Sequence, residues 1–107
     1  MLSDLHLIWN PVAGNGAAVS AYQLVTDTLA ERGIPFTSEK SEYAGNATEL
    51  AKAAVENGAK KIVVLGGDGT IREVACAMMN TSVPLGIISC GTGNDIIRAL
   101  QIPNDPL

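Results

Sequence analysis

The run KIVVL (61–65) is apolar through its centre and gives way abruptly to a different chemistry: IVVLGGDGTIREV (62–74) places three glycines, a carboxylate and a hydroxyl before a helical pattern begins. A strand that is apolar on both sides of its pleat must be covered on both faces, which points to a parallel sheet flanked by helices. The rest of the chain repeats this alternation. LHLIW (5–9) reads as a first strand, and the glycine-rich NPVAGNG (10–16) leads into a helix on which Ala18, Tyr22, Val25 and Leu29 share one face. Gly33 suits the position just past that helix.

PFTSEK (35–40) is a weaker second strand, and a second helix is predicted over 46–57 with Ala47, Leu50, Ala51 and Ala54 inward and Gly58 ending it. Asn46 and Glu49 have the spacing of a capping box, as do Thr70 and Glu73 at the predicted start of the third helix. That helix carries Ile71, Val74, Ala75, Met78 and Met79 as its stripe, the two methionines reading as core filling. PLGIIS (84–89) is a fourth strand, followed by CGTGN and a short helix, DIIRALQ. The fold expected is α/β, a Rossmann-like layered domain with a mainly parallel sheet, right-handed crossovers, and ligands beyond the C-terminal strand ends.

Composition narrows the function classes. With 107 residues the chain is one domain, and a net charge of −4 argues against nucleic acid as a partner. Cys76 and Cys90 make neither a disulfide framework nor a zinc spacing and are read as reduced thiols of a cytoplasmic protein. No apolar run reaches the roughly 20 residues of a membrane span. The first residues lack a basic n-region and a long apolar stretch, so they are not read as a signal peptide. His6 reads as structural, and Trp9 as packing a helix on the sheet.

Chemistry concentrates in three loops at predicted strand ends: NPVAGNG, GGDGT and CGTGND. Glycines allow backbone N–H groups to approach an anion and tolerate positive φ, and the helix N-termini behind them add partial positive charge. Together they form a candidate phosphate cradle. Asp68 is the residue a pure phosphate cradle does not need. It either binds a cation, accepts a proton from an attacking hydroxyl, or only stabilises its own turn. No GxxxxGK[ST] occurs. A dinucleotide-binding alternative rests on Gly14, Gly16 and Glu39, but Val19 is too large for the last glycine position and Asp68 stays unexplained.

NPVAGNG, GGDGTIREV and PLGIISCGTGNDIIRAL, in that order, resemble the N-terminal nucleotide-binding lobe of the diacylglycerol kinase catalytic-domain superfamily, over essentially the whole chain. GGDGT is shared with NAD kinases and phosphofructokinases, whereas the Asn-Pro start and GTGND favour the lipid-kinase branch. The resemblance implies an ATP- and Mg²⁺-dependent kinase acting on a lipid hydroxyl at a membrane surface. It implies ATP held between this lobe and a following β-sandwich lobe that lies outside residues 1–107 and supplies the lipid pocket.

Carried onto this sequence, the nucleotide contacts implied are Asn10, Pro11, Val12, Ala13 and Gly14; Ser41; Gly66, Gly67, Asp68, Gly69, Thr70, Ile71, Arg72 and Glu73; and Gly91, Thr92, Gly93 and Asn94. Asp68 is the implied catalytic residue, in the metal–water network or near the attacking hydroxyl. Departures from the family pattern are Arg72 for Asn or His, Ser89-Cys90 for Pro-Leu, Ile96 for Phe, and Asn46 for His or Asp. An apolar face left by the second lobe would allow self-association into a homo-oligomer. The 107 residues alone are expected to bind nucleotide weakly and to show little kinase activity.

Overall fold

In the computed structural model, which describes residues 3–12 and 16–88, four strands and three helices alternate along the chain. They are β1 (Leu5–Trp9), α1 (Ala17–Glu31), β2 (Thr37–Lys40), α2 (Asn46–Glu56), β3 (Lys61–Leu65), α3 (Asp68–Met78) and β4 (Leu85–Ile88). Ala13, Gly14, Gly91, Thr92, Gly93, Asn94 and the predicted helix DIIRALQ lie outside the described residues.

The sheet has order β2-β1-β3-β4, and every pairing is parallel. Alternation along β1 and β3 sorts the core into two layers. Leu7, Trp9, Val63 and Leu65 pack with Ala21, Val25 and Leu29 of α1, whereas Ile8, Ile62 and Val64 pack with the alanines of α2 and with Val74 and Met78 of α3. Burying each of the larger aliphatic side chains contributes about 1.5–3 kcal/mol relative to leaving it exposed. Because β3 feeds both layers, its uninterrupted apolar run is required. Trp9 stacks on Tyr22 of α1 at 4.0 Å between ring centroids and 9° between planes, and the Tyr22 hydroxyl meets Ser38 Oγ at 2.8 Å.

Helix ends explain two of the glycines. Gly33 has φ 67, its N–H donates to the Ala30 carbonyl, and the Ile34 N–H donates to that of Leu29. Gly58, Ala59, Val55 and Ala54 repeat this arrangement at the end of α2. Both are left-handed stops in which glycine avoids the Cβ penalty.

Three local expectations are corrected. Helix α3 begins at Asp68, with Gly67 as an extended N-cap and no side-chain cap among the described residues, so Thr70 lies in the first turn and does not cap it. Asn46 is inside α2, where Gly45 with φ 89 is the N-cap. Its amide oxygen is taken by the Glu42 N–H at 2.8 Å, which removes it as a cap for its own helix. Met78 is buried as core filling, but Met79 ends the helix and is 67% exposed.

Candidate functional site

Ladder hydrogen bonds continue one residue past the strands. Asn10 N–H donates to Leu65 O at 3.1 Å, Ser41 N–H to Trp9 O at 2.8 Å, and Gly66 N–H to Ile88 O at 3.1 Å. Asn10, Ser41 and Gly66 therefore stand in a row at the C-terminal edge of the sheet. The strand order reverses at β1, since β2 lies on one side of it and β3 with β4 on the other. Such a switch point opens a crevice between the loops.

The crevice is a cavity of about 600 Å³ lined by two walls. Asn10, Pro11, Val12, Gly69, Thr70 and Glu73 come from the β1 loop and α3. Lys40, Ser41, Glu42, Tyr43 and Ala44 come from the end of β2 and the loop after it.

Asn10 ties the first wall together. Its Oδ1 accepts the Val12 N–H at 3.1 Å, shaping the loop, and its Nδ2 donates to the buried Thr70 hydroxyl at 3.3 Å. Glu73 joins α3 to the second wall. Its Oε2 accepts the N–H of Gly45 at 3.1 Å, and its carbonyl accepts the Thr48 hydroxyl at 2.9 Å. The side chains of the T-x-x-E pattern thus serve other elements, not their own helix.

The second wall is fastened by a short polar chain. The Tyr43 hydroxyl donates to Glu49 Oε1 at 2.5 Å, and Asn46 Nδ2 donates to the same oxygen at 3.4 Å. The Tyr43 hydroxyl and then the Asn46 amide hold the Glu49 carboxyl below its usual range. The bond to that carboxylate, followed by partial desolvation, pushes the Tyr43 phenol up. Both shifts keep Glu49 ionised and Tyr43 protonated at neutral pH, the states that maintain the bond. The contribution of Glu49 is present above the usual carboxylate range and is lost as pH falls through its lowered folded value.

At the GGDGT turn the glycines have separate reasons. A Cβ on Gly66 would meet Thr70 Cβ at 3.1 Å and Thr70 Oγ1 at 3.3 Å, so the turn packs on the helix too closely to take one unless Thr70 shifts by a few tenths of an ångström. Gly67 and Gly69 face open space among the described residues. None of the three adopts positive φ; among the described residues the positive-φ glycines are Gly16, Gly33, Gly45 and Gly58. With no side chain among the described residues capping α3, the first-turn N–H groups point out from the helix end.

The structure gathers Asn10, Pro11, Val12, Ser41, Gly69, Thr70 and Glu73 around one cavity, and sets Gly66, Gly67 and Asp68 beside it at the turn. Asp68 is exposed in the first turn of α3. Arg72 is also exposed and Ile71 half-buried, and neither lines the cavity. Lys40, Glu42, Tyr43 and Ala44 line it without having been singled out in the sequence; their only signal was adjacency to Ser41. Glu39, the acid of the dinucleotide alternative, is engaged elsewhere: its Oε1 accepts from Nε2 of the fully buried His6 at 2.9 Å, while His6 Nδ1 meets Thr37 Oγ1 at 2.7 Å. Among the described residues there is no group of three or more His, Cys, Asp or Glu placed to hold a metal, and no helix long and apolar enough to cross a membrane.

A family model described as the diacylglycerol kinase catalytic domain matches residues 4–107. The chain is 38% identical over 94 residues to the diacylglycerol kinase of Mycobacterium tuberculosis (strain ATCC 25618 / H37Rv), covering 88% of this chain and 30% of that protein. It is 34% identical over 103 residues to the diacylglycerol kinase of Bacillus subtilis (strain 168), covering 94% and 34%. A crystal structure of a diacylglycerol kinase from Bacillus anthracis str. Sterne superposes with a TM-score of 0.68 at 31% identity, over 92% of this chain and 37% of that one. The chain spans about a third of the length of these relatives.

Proposed function

The chain belongs to the diacylglycerol kinase catalytic-domain family, and from that membership and the cavity we propose that it is the ATP-binding lobe of a kinase that transfers the γ-phosphoryl group, with Mg²⁺, to a hydroxyl of a diacylglycerol-like lipid. The observation that carries the reading is the juxtaposition of the switch-point cavity with the N-terminus of α3, which no side chain among the described residues caps. Backbone donors at a helix N-terminus suit phosphate oxygens, and the open space at Gly67 and Gly69 lets them approach.

The residues present fit the nucleotide and its cation. Magnesium commonly takes one or two carboxylates together with substrate phosphates and water, so a metal-ligand cluster within this lobe is not required. When bound, Mg-ATP supplies an electrophilic phosphoryl group. Asn10 and Thr70 hold the β1 loop against the helix end. Ser41 offers a hydroxyl at the strand edge. Asp68 supplies the carboxylate that faces the cation or takes the proton of the accepting hydroxyl.

A chimera tests this reading: the chain replaces the matching segment of the Bacillus subtilis relative. The expected result is γ-phosphoryl transfer from Mg-ATP to diacylglycerol in mixed micelles. A folded chimera that transfers no phosphoryl group to diacylglycerol, while the unmodified relative does, contradicts the proposal.

A further inference from the structure

The two walls of the cavity differ in chemistry. The α3 side offers backbone donors at Gly69 and Thr70. The loop after β2 offers an aromatic ring with two carboxylates at hand, Glu42 next to it in the chain and Glu49 on its hydroxyl, while Glu73 of α3 reaches across to the N–H of Gly45. Phosphates are repelled from that side, and the one cation among the described lining residues, Lys40, belongs to β2 and not to the Tyr43 loop.

Tyr43 is 60% exposed, yet its side chain has a bonded partner. Its hydroxyl is bonded to Glu49, Glu49 to Asn46, and the buried Asn46 takes the N–H of Glu42. An exposed aromatic held this way has already lost much of its rotamer freedom, so a planar ligand laid on it pays less for ordering. Among the described residues it is the only aromatic side chain lining the cavity.

We propose that Tyr43 is the platform on which the nucleobase stacks, with the phosphates running toward the N-terminus of α3. The assignment rests on the nucleotide reading above and adds to it the orientation of the nucleotide and a positioning residue. Stacking is tolerant of base identity because every base has a π-face, so the platform distinguishes nucleotides from bare polyphosphates more than it distinguishes ATP from GTP.

Calorimetric titration of the chain with Mg-ATP and, separately, with Mg-tripolyphosphate tests the assignment in the wild type, Tyr43→Leu and Tyr43→Phe. Tyr43→Leu is expected to weaken ATP about tenfold and leave tripolyphosphate unchanged, whereas Tyr43→Phe, which keeps the ring but loses the hydroxyl tie to Glu49, falls between the wild type and Tyr43→Leu. Upfield ring-current shifts of adenine H2 and H8 should accompany binding to the wild type and vanish with Tyr43→Leu. Equal ATP affinity in the Leu variant, or a parallel loss for tripolyphosphate, overturns the platform while leaving the nucleotide reading in place. A wild-type chain that binds tripolyphosphate but gains nothing from the adenosine overturns it too. Absence of any ATP binding to the wild type overturns the platform in this chain, and phosphoryl transfer by the chimera then decides the nucleotide reading separately.

Discussion

Replacing Asp68 by Asn in the chimera abolishes nearly all phosphoryl transfer and leaves the fold intact. Asp68 is exposed in the first turn of α3, so its packing contribution is small, and the amide is nearly isosteric. Loss of its negative charge from a helix N-terminus costs only about 0.3–1 kcal/mol. The carboxylate's proposed work is different: it meets a cation or receives a proton, and a neutral amide does neither. Turnover should fall by about 10²–10⁴-fold. ATP affinity measured without Mg²⁺ should not fall, since the carboxylate's proposed work is on the cation or the proton and not on the nucleotide itself. Steady-state kinetics beside a thermal melt separates the cases. Activity within a few-fold of the parent would reduce Asp68 to a turn residue.

Gly66→Val has the opposite signature and damages the structure first. The added Cβ would already stand 3.1 Å from Thr70 Cβ, and the branched methyls have no room between the turn and the helix. Relief requires α3 to shift, and the helix is pinned on its far side by Val74 and Met78 in the core. Overpacking of this kind costs about 1–3 kcal/mol. At roughly 4–8 °C per kcal/mol for a domain near this size, the melting temperature should drop by several degrees or more. Moving Thr70 also breaks the 3.3 Å bond from Asn10, so the β1 loop loses its tie to the helix. Gly67→Ala is the control, because its Cβ meets nothing among the described residues. A melt in which both variants match the parent contradicts this account of Gly66.

The contrast between these glycines shows what the sequence could and could not tell. The order of strands and helices was legible because each apolar stripe is local: the alternation on β1 and the faces of α1 and α2 follow from spacing alone. The uniform run of β3 correctly pointed to helices on both faces. Capping was misread because T-x-x-E is also a local pattern, yet its side chains answer to distant partners. Thr70 accepts from Asn10, 60 residues away, and Glu73 reaches Gly45, 28 residues away. Such long-range bonds leave no mark on spacing.

The cavity was half legible. Its glycine-rich wall carries a recognisable motif, whereas Lys40, Glu42, Tyr43 and Ala44 are ordinary residues that become a wall only because β2 pairs beside β1. Glu39 shows the converse. Position alone made it a candidate ribose acid, but the register that sets it next to Ile8 also brings its carboxylate to buried His6.

The central claim is that a nucleoside triphosphate lies with its phosphates at the turn between β3 and α3. Amide-resolved NMR titration of the chain, with Mg-ATP and separately with NAD, tests it most directly. The account predicts that Mg-ATP shifts the amides of residues 66–70 together with Asn10 and Ser41, and that NAD leaves the turn unmoved. Shifts centred on Gly16 and Glu39 with NAD, and none at residues 66–70 with Mg-ATP, would contradict it.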